Sequence, residues 1–268
     1  MLSLRHGRDA GGTEPVHSCP ADYWDILKRP CRLGLLAGAE CFHAPVEGLG
    51  RNPISWRRGP LMTSNLLLVL GTHNRKKRHE LAELFDEVGL ELRTLADFPS
   101  AIDVVETGKT FAENALLKAI QQARHLRRWV LGEDSGLMVD ALGGAPGVLS
   151  HRYCGPHATD ESNNRLLLEQ LGQTPLEKRT ARYVCHMAIA DPSGTIRAES
   201  EGACSGRILF EPQGTHGFGY DPIFEVVEYH RSFGVLDPAV KARLSHRARA
   251  ARQLIPSLTR LVDSGGWT

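Results

Sequence analysis

The sequence predicts an α/β fold, and three observations predict it. The run Leu66-Leu67-Leu68-Val69-Leu70 is continuously apolar, as in a strand buried on both faces, and it breaks at Gly71-Thr72-His73-Asn74. Leu81, Leu84, Phe85 and Val88 then recur at helical spacing up to a stop at Gly89. Strand-like and helix-like stretches continue from there to the end of the chain.

Leu90 to Thr94 reads as the next strand. Thr110-Phe111-Ala112-Glu113 is a capping box that opens a helix running to about Leu126. Trp129 to Leu131 reads as a short strand leading into Glu133-Asp134-Ser135-Gly136, whose Asp-Ser-Gly is common in turns. After the loop Gly143-Gly144-Ala145-Pro146-Gly147, Thr159 caps a helix with Asp160 and Glu161 in its first turn. Three β-rich runs follow: Thr180 to Ala190, Thr195 to Cys204, and Gly206 to Phe210. The loop Gly214 to Pro222 leads to a short strand, Ile223 to Val227. Asp237-Pro238 starts a short helix with Pro at its first position, and Ser245 caps the last helix, striped by Leu254, Leu258 and Leu261.

The chain has 268 residues, 41% hydrophobic and 24% charged, which excludes a disordered, collagen-like or coiled-coil protein and fits one or two globular domains. With 32 basic against 31 acidic residues, it has no broad electrostatic reason to bind nucleic acid or an anionic membrane. Any anion site must be local. No stretch approaches the roughly 20 apolar residues of a membrane span, and residues 1–12 lack the apolar core of a signal peptide. A soluble, cytoplasmic protein is the expectation. The six cysteines contain no C-x-x-C and read as reduced thiols. Residues 1–61 hold 6 of the 15 Pro and 8 of the 27 Gly, so they read as a poorly structured leader, an upstream start ahead of Met62 or a small accessory module. The working domain is then 62–268.

Four features carry chemistry. Thr72-His73-Asn74 precedes four cations, Arg75, Lys76, Lys77 and Arg78, at a helix N-terminus, where the helix dipole favours an anion instead. Backbone N–H groups, the Thr72 hydroxyl, the Asn74 amide and the Lys77 ammonium together make a phosphate cradle, although a charge run is also what a solvated helix face looks like. Carboxylates stand at strand ends: Glu106, Glu113 and Glu133-Asp134. Beside a phosphate cradle they imply a divalent cation, and Mg²⁺ takes one or two carboxylates plus phosphate oxygens. One can also accept a proton from water; Glu106 and Asp134 are the sharper candidates, Glu113 being a helix cap. Gly217-Phe218-Gly219-Tyr220-Asp221-Pro222 sets aromatics among glycines, where a base could stack and Asp221 accept a hydrogen bond. Lys241 with Ser245-His246-Arg247 puts further donors around a helix start. The spacing His151-x-x-Cys154-x-x-His157 looks like metal ligands but lies in a loop without an evident fourth ligand.

In this order the features resemble the inosine triphosphate pyrophosphatase family, the non-canonical purine nucleoside triphosphate pyrophosphatases of the RdgB type. The likeness runs from about Leu66 to Leu261 through Thr72-x-Asn74-x-x-Lys77, Glu106-Thr107-Gly108-x-Thr110-Phe111-x-Glu113-Asn114-Ala115-x-x-Lys118-Ala119, Asp134-Ser135-Gly136-Leu137, Gly143 to Gly147, Gly217 to Phe224 and Lys241 with Ser245-His246-Arg247. It implies an elongated, two-lobed α/β fold with a central mixed sheet flanked by helices, the active site in the cleft, and a homodimer. It also implies Mg²⁺-dependent hydrolysis of ITP, dITP and XTP to the monophosphate and pyrophosphate. Carried over by position, Thr72, His73, Asn74, Arg75, Lys76, Lys77 and Lys241 hold the triphosphate, while Glu106 and Asp134 hold the metal. Asp134 accepts the proton and Ser135 contacts substrate. Phe218, Gly219, Tyr220, Asp221, His246 and Arg247 hold the base. Glu133, where many members have a second Asp, is one departure, and the leader is another. Two other readings stay open: a pyrophosphatase for other modified or standard nucleoside triphosphates, and a catalytically silent nucleotide-binding protein.

Overall fold

The computed structural model describes residues 66–267, so the expected leader lies outside the described residues. One seven-stranded sheet runs through them, in the order β2-β1-β3-β4-β5-β6-β7. Strands β1 (Leu67–Leu70), β2 (Glu91–Thr94) and β3 (Trp129–Val139) pair in parallel, and β4 (Thr180–Ala190), β5 (Ile196–Ile208), β6 (Phe224–Val226) and β7 (Arg231–Ser232) continue antiparallel. The sheet is mixed and flanked by helices, as expected.

The helices form where their caps stand. Asn74 caps α1 (Arg75–Phe85), which passes into a short 3-10 turn ended by Gly89 at φ 75. Thr110 caps α2 (Phe111–Leu126) by accepting from the Glu113 N–H. Thr159 and Ser162 form a capping box for α3 (Asp160–Leu171), and Asp237 caps α4 (Pro238–Leu244) ahead of its leading proline. Ser245 caps α5 (His246–Asp263), whose Leu254 and Leu258 are buried. Two expectations need correction. β3 does not end at Leu131 but runs eleven residues through the supposed turn, because β4 pairs with it along its length. The separate strand expected at Gly206 to Phe210 is the end of β5.

The long strands β3 and β4 connect two lobes. At one end α1 and α5 cover one face with Leu68, Leu81, Phe85, Leu131, Met187 and Leu254, while α2 covers the other through Val69, Ala119, Ala123, Val130 and Ala188. At the other end Leu137, Val139, Leu167, Tyr183, Phe224 and Phe233 form a second core under α3. Gly132 permits the α2 contact, since a Cβ there would collide with the Ala115 carbonyl oxygen and Ala119. Beyond Leu131 the edge of β3 has no parallel neighbour, because β1 has already ended. That leaves a crevice at the carboxyl end of β1, the usual ligand position in open α/β sheets. The described cysteines, Cys154, Cys185 and Cys204, are free thiols.

Candidate active site

The first wall of the crevice is the β1–α1 turn. Gly71 N–H donates to the Leu131 carbonyl at 2.8 Å, which fixes the turn against β3. Thr72 Oγ1 accepts from Asn74 N at 3.2 Å, and Asn74 Oδ1 accepts from Lys76 N at 3.0 Å and Lys77 N at 3.2 Å. Two backbone donors expected to face phosphate are therefore spent on the helix cap. Two of the turn's lysines have carboxylate partners, Lys76 Nζ lying 3.0 Å from Asp160 and Lys77 Nζ 3.0 Å from Glu133, while His73 Nε2 stands 3.3 Å from Asp103. Two of the four cations of the run, Lys76 and Lys77, are thus balanced by acids from elsewhere in the chain.

Because Glu133 and Asp134 are neighbours on a strand, their side chains point to opposite faces of the sheet. Asp134 projects toward α2, where its Oδ1 accepts from Lys118 Nζ at 2.9 Å and its Oδ2 from Asn114 Nδ2 at 3.3 Å. Glu106 Oε1 lies 2.9 Å from the same ammonium. Glu106 and Asp134 thus converge on Lys118, and Glu133 is set apart from them. Glu133 is buried on the other face, with Lys77 on one oxygen and Arg247 Nη2 at 3.1 Å on the other. Burial pushes Asp134 above the usual carboxylate range against the pull of Lys118. Burial pushes Glu106 the same way, but Lys118 beside it, with Lys77 and Arg152, outweighs burial and holds it below its ordinary value. Glu113 accepts from Lys109 N at 2.5 Å, so it serves the start of α2.

The aromatic loop forms the facing wall. Gly217 has φ +75, and a Cβ there would strike the Asp221 carboxylate. Asp221 Oδ2 accepts from Phe218 N at 2.7 Å and from Lys241 Nζ at 2.6 Å, and Oδ1 from the Tyr183 hydroxyl at 3.4 Å. Its oxygens are committed to the loop's own structure, where the sequence suggested an acceptor open to ligand. Tyr220 is buried and donates to the Ser150 carbonyl at 2.9 Å. Phe218 lines the crevice with Lys241 Nζ 4.4 Å from its ring centroid. Lys241 also meets Glu80 of α1 at 2.9 Å, so it bridges the aromatic loop and the helix that follows the phosphate turn.

The start of α5 closes the back. Arg247 is 1% exposed; it pairs with Glu80 and Glu133 and donates to Ser135 Oγ at 3.0 Å, while its Nε has no partner. His246 stacks on Tyr183, with ring centroids 4.7 Å apart, and its buried Nδ1 has no partner either. Burial, aided by Arg247 and Lys241, holds His246 well below the ordinary imidazole value, so its ring is neutral near pH 7.

Every residue that the resemblance places at phosphate, metal or base lines one cavity of about 710 Å³, a volume within the usual range for small-molecule sites; Glu113 and Glu133 do not. Sequence reasoning gave no role in the site to Lys118, Asn114, Glu80, Asp160 or Tyr183, although Asn114 and Lys118 stand in the family motif. The Asn114/Lys118 spacing of four on α2 was a usable signal, because it puts both side chains on one helix face. The other three depend on partners far away in the chain. Among the described residues no group of three or more His, Cys, Asp and Glu is gathered as a metal ion would need, and this includes the loop of His151, Cys154 and His157.

Fold and site together define an α/β protein with a nucleotide-sized cleft between two lobes, basic on one wall and aromatic on the other. The chain belongs to the Ham1 family, whose model matches residues 68–257. It is 53% identical over 197 residues to a dITP/XTP pyrophosphatase of Rhodopirellula baltica, covering 74% of this chain and 95% of that protein. A dITP/XTP pyrophosphatase of Geobacillus kaustophilus is 46% identical over 201 residues, 75% of this chain and 98% of that one. Among solved structures, a HAM1 protein from Coxiella burnetii superposes with a TM-score of 0.67 at 38% identity, covering 72% of this chain and 98% of that chain.

Proposed function

We propose that this chain hydrolyses dITP, XTP and ITP between the α and β phosphates, releasing the nucleoside monophosphate and pyrophosphate and so clearing deaminated purines from the nucleotide pool. The observation that carries the reading is the single cavity in which Glu106, Asp134 and Lys118 adjoin the Thr72–Lys77 turn and face Phe218. The names of the relatives support dITP and XTP.

The donor set fits Mg²⁺. Glu106 and Asp134 converge on one ammonium, 2.9 Å from each, so two hard oxygen ligands already share a cation-binding point beside the phosphate wall. Held by these two carboxylates beside the ammonium, Mg²⁺ would neutralise charge on the phosphate oxygens and raise the electrophilicity of phosphorus. The protein's own part follows. Thr72, His73, Asn74, Arg75, Lys76 and Lys77 orient the triphosphate, and Asp134, kept basic by burial, takes the proton from the attacking water. Lys118 holds both carboxylates in place. Ser135, fixed by Arg247, faces the substrate. Phe218 stacks on the base, framed by Gly219 and Tyr220 and backed by Asp221, while Lys241, between the aromatic loop and α1, joins the Thr72–Lys77 turn in holding the triphosphate. Neutral His246 and the Arg247 guanidinium offer N–H groups to a 6-oxo group. Adenine would set its 6-amino donor against those donors, and an unsatisfied buried polar group costs about 1–3 kcal/mol.

The test is pyrophosphate release from dITP, XTP, ITP, GTP, ATP and dTTP with Mg²⁺, then again with the metal chelated. Equal rates on ITP and ATP would sink the reading. The family resemblance supports a homodimer, which sedimentation of the intact protein checks. No helix among the described residues is long and apolar enough to cross a membrane; a cytoplasmic location is part of the proposal.

A further inference from the structure

Helix α3 grips the aromatic loop at one residue. Asp160 opens the helix and Asn164 lies one turn on, so both side chains project from the same face. Asp160 Oδ2 accepts from Gly219 N at 2.9 Å, and Asn164 Nδ2 donates to Gly219 O at 3.1 Å. The backbone on both sides of Gly219, which sits at φ +63, is thereby fixed. The same Asp160 oxygen lies 3.0 Å from Lys76 Nζ, a cation of the phosphate wall that belongs to the other lobe and stands 5.5 Å from the Phe218 ring centroid. One carboxylate oxygen joins the two walls of the crevice.

We propose that Asp160 is a positioning residue that couples base and phosphate recognition with opposite signs: it holds Phe218-Gly219-Tyr220 in the form a purine requires, and it competes with phosphate for Lys76. The physical reason is that an anionic ligand reaching Lys76 must share that ammonium with a fixed negative charge, whereas a base meets only the loop that Asp160 has ordered. Binding then depends on the purine, and free polyphosphate or product pyrophosphate is held less tightly than the cations alone would hold it. The inference rests on the proposed function, because it assumes that Phe218 meets a base and Lys76 a phosphate.

The experiment measures binding of inosine monophosphate and of inorganic pyrophosphate separately, by calorimetry, to the full chain and to its Asp160→Ala and Asp160→Asn variants. Asp160→Ala is expected to weaken the monophosphate about tenfold, the scale of one lost charge-assisted hydrogen bond. It is expected to tighten pyrophosphate by about two- to fivefold, the scale of a partly exposed ion pair. Asp160→Asn retains an oxygen for Gly219 N, so monophosphate binding stays near the original while pyrophosphate tightens as in the alanine variant. A merely structural role would weaken both ligands together, and that outcome overturns the proposal, as does pyrophosphate binding unmoved in Asp160→Asn. Should the alanine variant fail to fold, the asparagine variant decides by the same criterion. If the unaltered chain releases no pyrophosphate from dITP and binds neither ligand, the proposed function itself fails and the coupling falls with it. Turnover by the unaltered chain with unmoved variants removes only the role of Asp160.

Discussion

Asp134 is the one side chain in the crevice that is both raised in pKa and aimed at the shared cation point. Asp134→Asn keeps its size and one acceptor oxygen while removing the basic site. A loss of about 10²–10⁴-fold in kcat is expected, the usual span for a general base, with the melting temperature little changed; undiminished turnover would show that the proton goes elsewhere. His246 makes a prediction about stability. Its folded pKa is held well below the ordinary imidazole value of 6.5 chiefly by burial, so between the folded and unfolded values the unfolded chain binds the extra proton. The stability it supports is present above about pH 6.5 and is lost as the pH falls through the folded value. Urea midpoints measured between pH 7.5 and 5 should therefore drop less for His246→Gln than for the unaltered chain. Parallel curves for the two would mean that the imidazole is not the group responsible. These are residue-scale properties, but neither is intrinsic to the residue. Each comes from desolvation and neighbours supplied by other elements.

Elements carry those neighbours. α2 brings Lys118 and Asn114 to β3 because Gly132, Ala115 and Ala119 let helix and strand approach closely. Gly132→Val should push α2 away from the strand, cost about 2–4 kcal/mol through overpacking in an unyielding core, and lower activity by moving Lys118 off Glu106 and Asp134. Chemical denaturation together with turnover checks this, and a variant with unaltered stability would refute the close packing. Helix starts were the most legible elements: Thr110, Thr159, Asp237 and Ser245 each cap a helix through a side chain whose effect is local, whereas Asn74, read as a phosphate contact, also proves to be a cap. β3 was the least legible. Glu133-Asp134-Ser135-Gly136 has the composition of a turn, and only ten residues of pairing with β4 make it a strand. That one misreading hid the alternation that separates Glu133 from Asp134. β7 was not anticipated either, since two residues carry no periodicity to detect.

At the scale of the whole molecule, every residue given a role lies between Thr72 and Arg247. A chain beginning at Met62 is accordingly expected to retain full turnover on dITP, and a severalfold loss of kcat in that shortened protein would assign residues 1–61 a part in the enzyme. Two lobes meet on continuous strands, so the crevice is built from groups that share no stretch of sequence: Lys77 with Glu133, Lys118 with Glu106, and Lys241 and Arg247 with Glu80. By itself the sequence determined the α/β class, the helix starts, the order of the chemical groups and hence the family likeness, because capping, buried-strand runs and short motifs act over a few residues. Only the tertiary structure decided which carboxylate faces the crevice, which cations are already neutralised, and that Asp221 braces the aromatic loop. Those outcomes depend on strand pairing and on charge partners tens of residues away, and Coulomb energy and burial follow distance in space and not separation along the chain.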